Sequence, residues 1–157
     1  MSSQIFNTVM VSTDDEEIAQ IAKQYGAAVP FLRSQENSDG YASTADVIIE
    51  VINEYQNLGI IFDNICCLYP TAPFVTSSNL REGHEMLYKN NFDSVFSVCT
   101  FSSPILRALK ISSSKKIDMI WEENINERSQ DLQPTYYDAG QFYWLNTNSF
   151  LKDKKLF

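Results

Sequence analysis

Apolar residues along this chain alternate between short continuous runs and a helical beat, and the switches between the two mark the elements. Val9-Met10-Val11 is predicted as a short strand, followed at once by the polar stretch Ser12–Glu16. Thr13 with Glu16 three residues later reads as a capping box, and the acidic groups crowded there suit the positive end of a helix dipole. Ile18, Ile21, Ala22 and Tyr25 then recur at helical spacing until Gly26. For Asp14 and Asp15, capping is therefore favoured over a catalytic role. Ala27–Leu32 is predicted as a second short strand, delivering Arg33 into a polar loop, Ser34–Tyr41, that carries Glu36, Asp39 and Gly40. A helix starting at Ser43 or Thr44 buries Val47, Ile48, Val51, Ile52 and Tyr55. Its first turn reads equally as an anion site or as ordinary capping.

The stretch 65–74 is read as the centre of the chain. Ile65-Cys66-Cys67-Leu68 is continuously apolar, as expected of a strand buried on both faces of a sheet. Pro70 and Pro73 then prevent its continuation, leaving a stiff loop at a strand's carboxyl end, where open α/β sheets bind ligands. A helix follows over about 77–89, with Leu80, Gly83, His84, Leu87 and Tyr88 on one face. That places the single histidine on a packing side, and no role is assigned to it. Ser94–Cys99 is predicted as a strand. Residues 107–111 and 116–120 flank a serine-rich turn and read as a hairpin. Tyr137–Leu145 returns to an aromatic strand, and 148–151 to a short helical piece. Strands alternating with helices indicate an α/β fold with a doubly wound, mainly parallel sheet from which the hairpin departs.

Composition narrows the options. A chain of 157 residues suits one domain with a real core. A formal charge of −8 argues against broad nucleic-acid binding but does not exclude a small anionic ligand held by a few placed cations. The three cysteines match neither a disulfide framework nor a zinc pattern. Reduced, buried thiols, with no signal peptide, no apolar run of about eighteen residues and no lipidation motif, give the expectation of a soluble, cytoplasmic protein without a membrane partner.

Four segments in order carry a resemblance: VSTDDEEIA (11–19); Arg33 with Asp39 and ASTADV (42–47); CLYPTAPF (67–74); and RSQDL (128–132) followed by YDAGQFYW (137–144). Together they resemble the cytidylyltransferases that activate nine-carbon acidic sugars, over nearly the whole chain. Tyr69 and Asp138–Trp144 are most similar to the pseudaminic acid branch; sialic acid synthetases more often place a Gln before the Pro-Thr and an Asn before the Gly. The resemblance implies a Rossmann-like sheet of the nucleotide-diphospho-sugar transferase type. It also implies attack of a sugar anomeric hydroxyl on the α-phosphate of CTP, with Mg²⁺, giving a CMP-sugar and pyrophosphate. On the same basis Arg33, Ala42 and Thr44 lie at the nucleotide, and Tyr69, Pro70 and Thr71 form the wall between nucleotide and sugar. Arg128, Gln130, Gln141 and Tyr143 lie toward the sugar, with Tyr69 contacting both sides. The excursion 105–137 carries the hairpin through which such enzymes form homodimers.

The family's basic, Gly-containing triphosphate loop precedes the residue matching Ile5, and its pair of metal-binding aspartates follows the position matching Phe157. Asp14, Asp15 and Asp138 match neither, so no metal ligand and no catalytic residue is assigned. The expectation is one incomplete cytidylyltransferase domain over 1–157, impaired alone. The alternatives are a non-catalytic nucleotide- or sugar-binding fragment, or a synthetase for sialic or legionaminic acid.

Overall fold

A computed structural model describes residues 3–157. The chain forms two compact units, 3–96 with 141–157, and 97–140. It is a mixed α/β protein, and its sheets are built on antiparallel pairs.

In the first unit, α1 (Glu16–Gln24) is capped two residues later than expected. Asp15 accepts the Ile18 amide at 2.9 Å, while the Thr13 hydroxyl accepts the amide of Asp15. Thr13 is buried and its carbonyl accepts the Arg33 amide, so it belongs to the packed turn rather than to the helix end. The face of α1 that turns inward is its alanine face, Ala19 with half-buried Ala22. Ile18, Ile21 and Tyr25, which recur at helical spacing with Ala22, are exposed. The two strands predicted at 9–11 and 27–32 reduce to one parallel bridge, Met10 to Ala28. Pro30 supplies no donor to lengthen it.

Helix α2 (Thr44–Asn57) starts with a complete capping box between Ser43 and Asp46, and it buries Ile48, Ile52 and Tyr55. Capping is thus what the first turn does. Strand β1 (Asn64–Leu68) pairs antiparallel with β5 (Tyr136–Asn146), Cys66 opposite Trp144 and Cys67 opposite Tyr143. Between them in sequence lie α3 (Ser77–Asn90), again with a capping box, and β2 (Ser94–Thr100). The order is β1-β5-β2. At one end the Asn146 amide donates to the Asp93 carbonyl, and at the other the Phe101 amide donates to the Thr135 carbonyl, the antiparallel sense. The central strand is therefore β5, not β1. Phe142, Tyr143, Trp144 and Leu145 are consecutive and all buried, the mark of a strand covered on both faces. Successive side chains go to opposite sides: Tyr143 and Leu145 pack with Ile48 and Ile52 of α2, and Phe142 and Trp144 with Leu80 and Leu87 of α3. β1 is only half-buried, and Leu68 is exposed. Beyond β5, α4 (Thr147–Asp153) is capped by Asn146 and seats Phe150 in the α2-side core.

The second unit contains the expected excursion. Strands β3 (Leu109–Ile111) and β4 (Ile117–Met119) form the hairpin, Lys110 opposite Asp118, with Lys115 at positive φ in its turn. Arg107 donates to the carbonyls of Asn124 and Glu127, and the Asn124 side-chain amide donates to the Leu106 carbonyl, tying the two short 3₁₀ turns, 105–107 and 122–124, to each other.

Candidate functional site

At the carboxyl end of β1, Tyr69 is held from four directions. Its amide donates to the Gln141 carbonyl at 2.9 Å, extending the ladder one residue beyond β1. Its carbonyl accepts the Ala72 amide at 3.1 Å, closing a turn with Pro70 and Thr71 in the middle. Proline's fixed φ suits the second position of such a turn. The ring lies 5.4 Å from the Tyr143 ring, and the hydroxyl shares a 2.6 Å hydrogen bond with the Thr44 hydroxyl at the start of α2. The structure thus brings Thr44, Tyr69, Gln141 and Tyr143 together from α2, β1 and β5. Pro70 and Thr71 stand exposed beside them. Tyr143 is 2% exposed, so it forms the floor beneath Tyr69 rather than an outward-facing contact.

The N-terminus of α2 is crowded with carboxylates. Asp39 accepts the amides of Tyr41 and Ala42 through one oxygen, at 2.8 and 2.9 Å. Asp46 accepts the amide and hydroxyl of Ser43, and these bonds hold its carboxyl below the usual range. Hydrogen bonding to the charged form is the cause. The Ala42 amide is thus already paired, and the neighbourhood suits a neutral or donor-bearing group better than a phosphate.

Arg33 is half-buried and donates from Nε to the Ser12 hydroxyl at 3.0 Å, and from a terminal nitrogen to the Ser12 carbonyl. One edge of its guanidinium is therefore fixed by the turn after residue 11. The loop 34–41 is clamped by Glu50 of α2, which accepts the Ser34 amide at 2.6 Å, the Ser34 hydroxyl at 2.9 Å and a bond from the Asn37 side-chain amide. Burial pushes the Glu50 carboxyl up, but the bonds from Asn37 and Ser34 and the charge of Arg33 outweigh it, and the net shift is downward. Ser12, Asn37 and Glu50 are the site residues that sequence reasoning missed. The only signal was Glu50 lying four residues after Asp46, one helical turn along the same face.

Arg128 and Gln130 belong to the second unit. There the Arg128 Nε donates to Asp131 at 2.6 Å, in an ion pair whose members are 73% and 43% exposed. Such an exposed contact is weak and readily exchanged for another anion. Asp15 serves as a cap and Asp138 accepts the Gly140 amide at 2.8 Å. His84 packs its ring 4.8 Å from Trp144. Among the described residues there is no group of three or more His, Cys, Asp or Glu side chains that could hold a metal ion.

A family model described as Cytidylyltransferase matches residues 1–155. The chain belongs to the cytidylyltransferase family. It is 37% identical over 157 residues to a pseudaminic acid cytidylyltransferase of Campylobacter jejuni subsp. jejuni serotype O:2, covering all of this chain and 68% of that relative. It is 32% identical over 155 residues to a CMP-N,N'-diacetyllegionaminic acid synthase of Legionella pneumophila subsp. pneumophila, covering 99% of this chain and 63% of that protein. Over 98 residues it is 40% identical to N-acylneuraminate cytidylyltransferase A of Danio rerio, covering 62% of this chain and 22% of that protein.

Proposed function

We propose that this chain activates pseudaminic acid with CTP, giving the CMP-sugar and pyrophosphate. The observation that carries the reading is the convergence of Thr44, Tyr69, Gln141 and Tyr143 from three elements at one strand end. The Campylobacter relative, matched over the full chain, supplies the sugar. In this reading Arg33, Ala42, Thr44 and the turn Tyr69-Pro70-Thr71 hold the cytidine end, where donors and hydroxyls are recognised. Gln141 and Tyr143 are assigned to the sugar side in the first unit; in the second, Arg128 and Gln130 are assigned to the sugar by their chemistry, a guanidinium being suited to a carboxylate. Magnesium belongs to the same proposal, with no ligand cluster among the described residues.

Two further parts of the proposal have their own support. A doubly wound order is favoured because β1 and β2 run the same way on either side of β5, helices cover both faces, and the Met10–Ala28 bridge is parallel. A homodimer through the hairpin is favoured because Leu109, Ile111, Ile117 and Ile125 are 58–73% exposed. A cytoplasmic location is in keeping with the two burial-protected thiols, Cys66 and Cys67. Among the described residues no helix is long and apolar enough to cross a membrane.

The test is to incubate the protein with CTP, Mg²⁺ and each of pseudaminic, legionaminic and sialic acid, and to measure pyrophosphate. Release fastest with pseudaminic acid is expected, and equal or faster release with another sugar refutes the assignment. A second reading, nucleotide binding without turnover, is favoured by the carboxylates of Asp39 and Asp46 at the start of α2 and of Glu50 near Arg33, which suit a nucleoside better than a triphosphate. Calorimetric CTP binding with no pyrophosphate supports that reading instead.

A further inference from the structure

We propose that the Thr44–Tyr69 hydrogen bond is a latch that makes the two walls of the nucleotide site one rigid piece, so that Thr44 and Tyr69 are positioning residues for each other. This rests on the reading that α2 and the proline turn line that site.

The residues are 25 apart in sequence, and the 2.6 Å bond between their hydroxyls adds a polar tie where Tyr69 and α2 already share an apolar cluster through Ile48 and Ile52. At α2 the neighbouring polar groups are already engaged: Ser43 with Asp46, and the Ala42 amide with Asp39. The Thr44 hydroxyl is the group of that turn that reaches across to the end of β1. At the β1 end, Tyr69 fixes the turn through its backbone, with the Gln141 carbonyl on one side and the Ala72 amide on the other. Its ring rests on the buried Tyr143 ring. A displacement of the Tyr69 hydroxyl therefore carries Pro70 and Thr71 with it. Both residues are half-buried, so breaking the bond leaves a polar group short of a partner inside the wall. Thr44 then acts on a ligand by holding Tyr69 in place rather than by donating to the ligand itself.

The experiment compares Tyr69→Phe, Thr44→Val, the double variant and Thr44→Ser for CTP affinity by calorimetry, at a temperature where circular dichroism shows every variant folded. Each single variant is expected to weaken CTP binding about threefold to tenfold, the range set by one net hydrogen bond. The double variant is expected to be no worse than the poorer single one, and Thr44→Ser to retain affinity. Single variants that lose thermal stability yet keep full affinity overturn the proposal, as do effects that multiply in the double variant. If the unaltered protein does not bind CTP, the nucleotide reading fails. The latch is then judged by amide exchange at Ala72, whose protection both single variants must reduce equally. Unequal or additive losses overturn it.

Discussion

Gly83 is the position at which a single methyl group should do most harm. In an exposed helix, Gly→Ala stabilises by about 1 kcal/mol through propensity alone. On α3, however, an alanine Cβ would lie 2.9 Å from Cδ1 of Trp144, 3.1 Å from Cε2 of Phe142 and 3.3 Å from the indole nitrogen. Neither ring has free space to yield. Trp144 is 3% exposed, stacks at 5.3 Å on Phe6, packs against His84, and donates from Nε1 to the Leu80 carbonyl at 3.0 Å. Overpacking of this kind costs about 1–3 kcal/mol. Displacing the indole from Leu80 adds about 1 kcal/mol. After the helix gain is subtracted, Gly83→Ala should destabilise by about 1–3 kcal/mol, lowering Tm by roughly 3–10 °C for a chain of this size. Urea unfolding followed by tryptophan fluorescence measures the loss, and near-UV circular dichroism should report the displaced indole. A stability gain of about 1 kcal/mol with an unchanged near-UV spectrum would refute the close approach of α3 and β5.

Thiol chemistry should divide the cysteines in the native protein. Burial pushes Cys66 up to about 12 and Cys67 up to about 11, so few thiolates form there at pH 8, whereas Cys99 is exposed. One equivalent should react promptly with a disulfide reagent and three after denaturation; three prompt equivalents would contradict the buried strand. Since both folded values exceed the ordinary 9.0, the unfolded chain ionises first, and stability should fall as pH rises above 9 toward 11–12. Glu50 has the opposite sign: its depressed value adds stability above about 4.5 that is lost as pH falls through the folded value. Glu50→Gln should flatten that acid limb in a Tm-against-pH series, and an unchanged slope would count against the loop clamp. If the proposed homodimer forms through the hairpin, the unaltered protein should sediment as a dimer and Ile111→Lys with Ile117→Lys as a monomer; identical profiles would remove the hairpin as the dimer contact.

What could be read from residues alone followed local chemistry. The start of α2 was legible to within a residue from Ser43, Thr44 and the spacing of Ile48, Ile52 and Tyr55, whereas the Ser43–Asp46 capping box was seen only in the structure. The hairpin was legible because two apolar runs flank a serine-rich turn. The failures concern what lies beside an element. Nothing local distinguishes an apolar run at the centre of a sheet from one at its edge, so Ile65–Leu68 was given the place that belongs to 142–145. The inward face of α1 was not legible for a similar reason: its isoleucines have the right period, but the neighbouring chain approaches the alanines. Of the site, the proline turn and Tyr69 were legible from the strand that ends there. The Thr44–Tyr69 bond, the Ser12 contact to Arg33 and the Glu50 clamp were not, because each joins residues 13 to 25 apart on different elements.

The geometry of the site depends on the register of β5. Tyr143 lies opposite Cys67 and faces α2, while Trp144 lies opposite Cys66 and faces α3. A slip of one residue would exchange them, bringing an indole under Tyr69 and a phenol against α3. Alternation of apolar residues cannot prevent this, since 142–145 are apolar on both faces. What distinguishes the two faces is the notch at Gly83, which admits the indole edge, and the Leu80 carbonyl, which accepts its N–H. Neither has a counterpart among the Ile48 and Ile52 side chains that receive Tyr143. The α3 side therefore selects the register, and the register in turn sets Tyr143 under Tyr69 and the Gln141 carbonyl against the Tyr69 amide. A glycine on the far face of the sheet thereby governs the Tyr69 turn, the wall of the proposed nucleotide site. Gly83→Ala should accordingly weaken CTP binding even under conditions in which the protein stays folded.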